Sequence, residues 1–176
     1  MEPNVEPIYG EISSANEKGL VTDDGQLHEV DVIVCATGFD MAWTPHFKLH
    51  GVNSVNIKDE WSPIPNCYLG IAAPGFPNYW VMNGPRGNLG NGSVLPCLET
   101  QVDYVIQAAK KIQSDRIRAL DVKNDITDKL NKYIDKWIEG SVWVGDCKSW
   151  YKNNTKDGKV MCWGGSVSIL RRFCSP

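Results

Sequence analysis

Two glycine-bearing turns carry the residue types that best suit the binding of an anion or of the polar edge of a flat ring. One is Thr37-Gly38, at the end of an apolar run, and the other is Gly90-Asn91-Gly92-Ser93, just before a predicted helix. Backbone amides at a helix start approach such a ligand closely and donate hydrogen bonds to it when no bulky side chains intervene. For the second turn taken alone, a flexible connector is an equal alternative.

The two turns are predicted to meet at one edge of a sheet. The run from Val32 to Ala36 is β-branched and apolar, follows Asp31, and is typical of a buried parallel strand. Open α/β sheets bind their ligands in the crevice at the carboxyl ends of such strands. The candidate binding residues are therefore Thr37, Gly38, Gly90, Asn91, Gly92 and Ser93, whereas no catalytic residue and no metal ligand is assigned.

A β-hairpin and several short strands are expected around this run. The hairpin joins Gly19–Thr22 to residues 27–30 through the turn Asp23-Asp24-Gly25. Further short strands are predicted at residues 5–9, 68–72, 79–82, 141–144 and 159–163.

Two helices have clear apolar periodicity. In the first, near residues 97–113, the stripe consists of Leu98, Val102, Val105, Ile106, Ala109 and Ile112. In the second, near residues 125–139, it consists of Ile126, Leu130, Tyr133, Ile134, Trp137 and Ile138. Both helices are expected to pack on the sheet through these stripes.

The fold class that follows is α/β. It comprises a partial nucleotide-binding, Rossmann-like sheet with a β-hairpin, two packed helices and an irregular carboxyl-terminal segment. We treat residues 1–176 as a single unit with four parts. They are the hairpin and strand (1–40), a loop with short strands (41–96), the helices (97–140) and a carboxyl-terminal cover (141–176).

Composition excludes several classes of protein. A net charge of -3 and a pI near 5.6 argue against a nucleic-acid or anionic-membrane partner. No apolar run approaches the ~20 residues of a membrane span. The six cysteines have no CxxC spacing, and no signal peptide opens the chain, so we expect reduced thiols in the cytoplasm.

Other chemically competent residues have simpler explanations. His28, His46 and His50 lie outside any metal or catalytic motif, and adjacent carboxylates such as Asp23-Asp24 are more often solvated than catalytic. The hexapeptide from Cys147 to Lys152 interleaves Trp and Tyr with Lys. It is compatible with stacking on a base, but the acidic chain favours a packed aromatic cover.

Several segments, taken in order, resemble the flavin-containing monooxygenases and, among them, the Baeyer–Villiger branch. Ala36-Thr37-Gly38-Phe39-Asp40 resembles the end of the family's Ala-Thr-Gly strand. Asn83-Gly84-Pro85 resembles the start of its flavin-facing loop, and Glu99-x-Gln101-x-x-Tyr104 resembles the opening of its next helix. Further similar segments are 61–70, 75–80 and 147–166, so the resemblance covers nearly the whole chain.

The resemblance implies an enzyme in which FAD is reduced by NADPH and reacts with oxygen, and in which a ketone becomes an ester or lactone. The family's GxGxxG loops, its fingerprint and its active-site arginine lie upstream of the region matched here. The chain thus resembles the carboxyl-terminal part of such an enzyme. We expect it to bind neither FAD nor NADPH stably and to be inactive alone, because most of the affinity for FAD comes from the phosphate-binding loop.

Three interpretations stay open. The chain is a fragment of a full enzyme, or one half of a split enzyme, or a flavin-free remnant that binds or cyclises a small molecule. The implied partners are a small apolar ketone-type substrate and either a missing amino-terminal half or a second copy of the chain. Two departures touch the flavin-facing loop: Arg86 stands where many relatives carry Asn, and Asn91 where many carry His.

Overall fold

The amino-terminal part of the chain contains β-strands, and the remainder is mainly helical. The computed structural model describes residues 3–38, 43–90 and 92–174. They divide into a smaller unit, which ends at Gly38, and a larger unit, which follows it. The architecture is mixed helix and sheet.

The smaller unit is a three-stranded antiparallel sheet in the order β1-β2-β3. Its strands are β1 (Ile12–Asn16), β2 (Gly19–Thr22) and β3 (Leu27–Glu29). The Asn16 side chain closes the first turn by accepting from the Lys18 and Gly19 amides. This confirms the predicted hairpin between residues 19 and 30.

The apolar run from Val32 to Ala36 is not a strand, so the prediction that it is central in a buried sheet is wrong for this structure. Val32 is 77% exposed and Val34 is 85% exposed. A central parallel strand needs a neighbouring strand on each side to pair its backbone, and packed elements above and below to cover its faces. Among the described residues this run pairs with no strand. The predicted strand at residues 5–9 is likewise irregular and exposed.

The larger unit contains four helices and two short strands within its described residues. The helices are α1 (Ile57–Glu60), α2 (Leu95–Ser114), α3 (Asn124–Ile138) and α4 (Val167–Cys174). The strands are β4 (Asn88–Leu89) and β5 (Cys162–Trp163), which pair in parallel. Three short 3₁₀ turns lie at Val52–Ser54, Val142–Val144 and Trp150–Lys152. The two long helices confirm the helices predicted from periodicity.

Two hydrophobic clusters stabilise the larger unit. The first contains Ile71, Ile134 and Leu170, and it joins the loop before β4 to helices α2, α3 and α4 and to β5. The second contains Ile57, Trp61 and Phe76 and lies around α1.

Three of the predicted short strands are corrected by the structure. Residues 68–72 form a tight turn closed by one bridge between Tyr68 and Ala72, with Leu69 and Gly70 in the left-handed region. Residues 79–82 contribute only the bridge from Trp80 to Ala72, and residues 142–144 are a 3₁₀ turn. Leu69 and Ile71 are buried by the first of these turns rather than by sheet pairing, whereas Met82, Val142 and Val144 are exposed.

Helix α2 is where predicted, but its buried face differs from the apolar stripe. Val102 and Ile106 are 42% and 45% exposed, while Gln101 is completely buried. The polar side chain takes the inner position because it binds two neighbouring turns. None of the described helices is long and apolar enough to cross a membrane.

Candidate functional site

The second glycine turn lies between strand β4 and helix α2 in the larger unit. Gly90 directly follows β4, and Gly92 and Ser93 are exposed just before α2 begins at Leu95. Asn91 lies outside the described residues. No side chain caps α2, and Pro96 stands in its first turn. Pro96 has no N–H, and the Cys97 and Leu98 amides both donate to the Val94 carbonyl at 3.0 Å. The donors that this end can offer an anionic or carbonyl-bearing ligand are therefore the amides of residues 92–95.

Gly90 lies directly against the indole ring of Trp143. A Cβ atom at this position would lie 2.4 Å from Cζ2 of Trp143, so only glycine lets the backbone lie on that ring. Trp143 meets Tyr151 edge to face with ring centroids 4.8 Å apart, and Tyr151 meets Trp150 in the same way at 5.7 Å. We call Trp143, Tyr151 and Trp150 the aromatic cluster. It borders the turn that carries the candidate binding residues.

Gly92 differs from Gly90 in both space and conformation. Its φ is +99°, in the left-handed region, and a Cβ atom there would meet nothing within 4 Å. The backbone at Gly92 is therefore open to a ligand, and the residue is glycine because of its φ rather than because of crowding.

The preceding residues, 84–87, form a buried turn that supports the open one. Gly70 and Gly87 approach so closely that a Cβ atom on Gly70 would lie 2.4 Å from Cα of Gly87. The Gln101 side chain accepts from the Asn83 amide at 2.9 Å and donates to the Leu69 carbonyl at 3.2 Å. One amide of helix α2 thus holds both turns, which gives the glutamine of the acid-x-Gln-x-x-Tyr segment a structural role.

Arg86 is directed to helix α3. It is 2% exposed, and its guanidinium donates to the Asn131 carbonyl at 2.8 Å and to the Asp135 carboxylate. Lys159 reaches the other oxygen of Asp135 at 3.0 Å. Burial lowers the pKa of Arg86, and the hydrogen bond and charge of Asp135 oppose that shift. The residue that departs from the family pattern therefore fastens the loop to α3.

The first glycine turn lies in the smaller unit. Thr37 and Gly38 are exposed, and Gly38 has a φ of +90° with nothing within 4 Å of a Cβ position. Gly90, Gly92 and Ser93 lie in the larger unit. That the two turns form one site stays a prediction.

The cysteines offer little nucleophilic chemistry near the turn. Burial raises the pKa of Cys162 and of Cys174 to about 11 and that of Cys67 to about 12. Buried thiols with such values are protonated at neutral pH and unreactive. Cys147 is exposed, with its sulfur 3.8 Å from the Tyr151 hydroxyl.

Trp143 is the residue of this site that the sequence prediction missed. Residues 141–144 contain β-branched and aromatic side chains, which predicted a strand. That prediction did not indicate that Trp143 contacts Gly90. The Cys147–Lys152 segment was predicted to be a packed aromatic cover, and Trp150 and Tyr151 do pack with Trp143. The signal that could have linked them is the small residue Gly90, because glycines often mark places where a ring lies on the backbone.

A second concave region shares no residue with the glycine turn. It is a cleft of about 280 Å³, and five of its thirteen lining residues are aromatic. Tyr68, Tyr79, Trp80 and Tyr104 line it, with Asp121 and Lys123 among its polar lining residues. Burial raises the pKa of all three tyrosines, so their hydroxyls are neutral donors.

Three curated monooxygenases are similar to the chain over most of its length. The FAD-binding monooxygenase moxY of Dothistroma septosporum is 40% identical over 163 residues, which are 93% of the chain and 26% of that protein. The FAD-binding monooxygenase stcW of Emericella nidulans is 39% identical over 165 residues, 94% of the chain and 28% of that protein. A Baeyer–Villiger monooxygenase of Pseudomonas aeruginosa is 33% identical over 168 residues, 92% of the chain and 32% of that protein. No family model matches the chain.

Solved structures give the same result. Cyclohexanone monooxygenase from Rhodococcus sp. Phi1 bound to NADP⁺ matches 98% of the chain and 33% of its own length, with a TM-score of 0.79 and 30% identity. A closed structure of cyclohexanone monooxygenase matches 93% of the chain and 31% of its own length, with a TM-score of 0.76 and 28% identity.

Fold and similarity together define a class: the chain is similar to one part of the FAD-binding monooxygenases. Within that class its relatives are FAD-binding and Baeyer–Villiger monooxygenases, which confirms the resemblance inferred from the sequence. The chain spans about a quarter to a third of the length of these relatives.

Proposed function

We propose that the chain is the carboxyl-terminal part of an FAD- and NADPH-dependent monooxygenase of the Baeyer–Villiger type, which converts a ketone to an ester or lactone. The observation that carries this proposal is the likeness to such enzymes over 92–94% of the chain. In this proposal the chain does not act alone. It works with a region that supplies the dinucleotide-binding loops.

The residues of the glycine turn fit one edge of a flavin and not its pyrophosphate. Gly92 leaves the backbone open, and no side chain caps the start of α2 beside it. A GxGxxG loop, which binds the pyrophosphate of a dinucleotide, does not occur in these 176 residues. When bound, the flavin supplies the redox chemistry. The chain supplies amide donors from residues 92–95, with the aromatic cluster excluding water beside Gly90.

Thr37 and Gly38 complete this site in our proposal. The exposed run from Val32 to Ala36 then becomes a strand of a larger, Rossmann-like nucleotide-binding sheet when the partner region is present. Contiguous apolar surface of this kind is rarely left in solvent. The alternative is that a second copy of the chain covers this apolar surface, and such a dimer would contain no flavin. The free thiols favour a reducing compartment, and we propose the cytoplasm.

Complementation tests this function. The chain is expressed alone and together with the amino-terminal two thirds of a relative such as moxY, and each sample passes through gel filtration. We expect a colourless protein alone and a yellow complex with NADPH- and ketone-dependent oxygen uptake. Val34→Lys should abolish the complex, whereas Val5→Lys, also at an exposed valine, should not. Stoichiometric flavin on the isolated chain would overturn the proposal that it lacks its own cofactor clamp.

The aromatic cleft supports a second candidate function, the flavin-free binding of a small apolar molecule. Its volume of about 280 Å³ lies near the lower end for ligand pockets, and its rings and neutral hydroxyls suit a flat ligand. Ligand-observed NMR with small aromatic ketones tests this. Binding that Ala108→Phe removes, because the new ring fills the cleft, would favour this function. No binding by the native chain would exclude it at this cleft.

A further inference from the structure

Lys152 is a buried cation held by backbone carbonyls. The residue is 2% exposed, and its ammonium donates to the carbonyls of Gly145 at 2.7 Å, Lys156 at 2.6 Å and Cys147 at 3.4 Å. An ammonium has three protons, so these carbonyls use its full donor capacity. We call residues 145–158 the cage loop. Charged groups are almost never fully buried unless they are satisfied in this way.

The cage joins the two turns that carry the aromatic cluster. Gly145 ends the 3₁₀ turn of Trp143, and Lys152 ends the 3₁₀ turn of Trp150 and Tyr151. The bond from Lys152 Nζ to the Gly145 carbonyl therefore ties one aromatic turn directly to the other. The Tyr151 carbonyl in turn accepts from the Met161 amide at 2.7 Å, next to β5.

The rest of the loop closes over the same residue. The Lys152 carbonyl accepts from the Thr155 hydroxyl at 2.9 Å. A Cβ atom on Gly158 would lie 1.8 Å from the Lys152 carbonyl oxygen, so glycine is required for this approach. The polar segment from 153 to 158 is thus wound around Lys152.

We propose that Lys152 is a positioning residue that keeps the aromatic cluster packed against the glycine turn at Gly90. Its ammonium occupies a site for a single small cation, built from three neutral carbonyls. This proposal rests on the proposed function only for the identity of the ligand that the glycine turn binds. The cage and its effect on Gly90 rest on contacts within this chain.

A chemical rescue tests this role. Lys152→Ala removes the side chain beyond Cβ and leaves room for n-propylammonium, which replaces the missing atoms and the charge. The reporter is the Gly90 α-proton signal in NMR, which the ring current of Trp143 displaces while the two remain in contact. We expect Lys152→Ala to move that signal to its ordinary position and to accelerate exchange of the Met161 amide about tenfold or more, as for an unsatisfied buried group.

The rescue should depend on charge. Millimolar n-propylammonium should restore both readouts, and 1-propanol, which matches its size without the charge, should restore neither. Lys110→Ala removes an equal charge at an exposed position of α2, outside the cage loop, so it should leave both readouts unchanged. An unchanged Gly90 signal in Lys152→Ala, or equal rescue by 1-propanol, would overturn the proposal.

Two further arms keep the result decisive. If Lys152→Ala does not fold, its yield of soluble protein on refolding is compared in the two additives, and recovery with n-propylammonium alone supports the cage. Lys152→Met keeps most of the aliphatic side chain without the charge. A Gly90 signal and a Met161 exchange rate equal to those of the native chain in that variant would overturn the proposal. None of these readouts involves flavin. In the complemented enzyme, Lys152→Ala should also lower flavin retention, and a normal retention there would refute only the link to the proposed function.

Discussion

The smaller unit leaves its apolar side chains in solvent, whereas the larger unit buries two clusters of them. In residues 3–38 only Gly19 and Thr22 are buried, while Ile71, Ile134 and Leu170 in the larger unit are at most 1% exposed. Both regions contain runs of β-branched and aliphatic residues. The difference is that helices α2, α3 and α4 give the larger unit surfaces to pack on. Apolar character alone does not bury a segment; a facing surface does.

Truncating one isoleucine in each unit gives the largest contrast. Ile134→Ala should cost roughly 2–5 kcal/mol because it leaves a cavity between α3 and the first cluster. Ile33→Ala, at a side chain that is 49% exposed, should change stability by about 0.5 kcal/mol or less. Urea unfolding measures both, and equal costs would mean that Ile33 is buried in solution.

Replacing Arg86 tests how much a buried charge contributes to the stability of the larger unit, compared with an exposed one. Arg86→Met should destabilise the larger unit by roughly 1–3 kcal/mol, since Asp135 keeps only Lys159 and the backbone carbonyl of Asn131 loses the Arg86 donor. Lys129→Met, which removes an exposed pair with Asp125, should cost about 0.5 kcal/mol at most. A double-mutant cycle with Asp135→Asn measures the coupling. A coupling energy near zero would contradict the ion pair.

Cys67 should give the larger unit a dependence on alkaline pH. Burial raises its pKa from 9.0, the ordinary value of a thiol, to about 12 in the folded state. The folded form keeps its proton while the unfolded form loses it, so stability is complete below pH 9.0 and falls by up to about 1.4 kcal/mol per pH unit above it. Denaturation at several pH values should show Cys67→Ala with a shallower slope than Cys35→Ala, a change at an exposed thiol.

Gly92 gives a smaller expected effect than the truncation of Ile134 or the replacement of Arg86. Gly92→Ala should cost about 1–2 kcal/mol, because φ is +99° and a Cβ atom is strained there even with open space. A larger residue such as valine at Gly92 therefore loses stability as well as ligand binding, so Ser93→Ala is the cleaner probe of binding. Gly140→Ala, outside the left-handed region, should stabilise by about 0.4–1 kcal/mol. Thermal melts compare the two alanine variants.

Local signals predicted part of this fold and missed what depends on distant partners. The periodicity of α2 and α3 and the Asp23-Asp24-Gly25 turn are local, and those elements are confirmed. The run from Val32 to Ala36 has the composition of a buried strand, but strand formation depends on neighbours that a local pattern does not report.

The candidate site shows the same limit. The sequence identified Gly90 and Gly92 as parts of a glycine-rich turn, but it did not show why each position requires glycine. Gly90 is set by the ring of Trp143, about 50 residues later in the chain, and Gly92 by its own φ. The inward face of α2 was mistaken because Gln101, a polar residue, satisfies two turns from a buried position.

Asp135 has a consequence for how the larger unit unfolds. Its two oxygens bind Arg86, before strand β4, and Lys159, before strand β5, and these two strands pair with each other. A two-residue ladder has little stability of its own, so its persistence depends on what holds its ends. We therefore expect this carboxylate on α3 to couple the opening of the two segments, so that neither strand melts independently of the other.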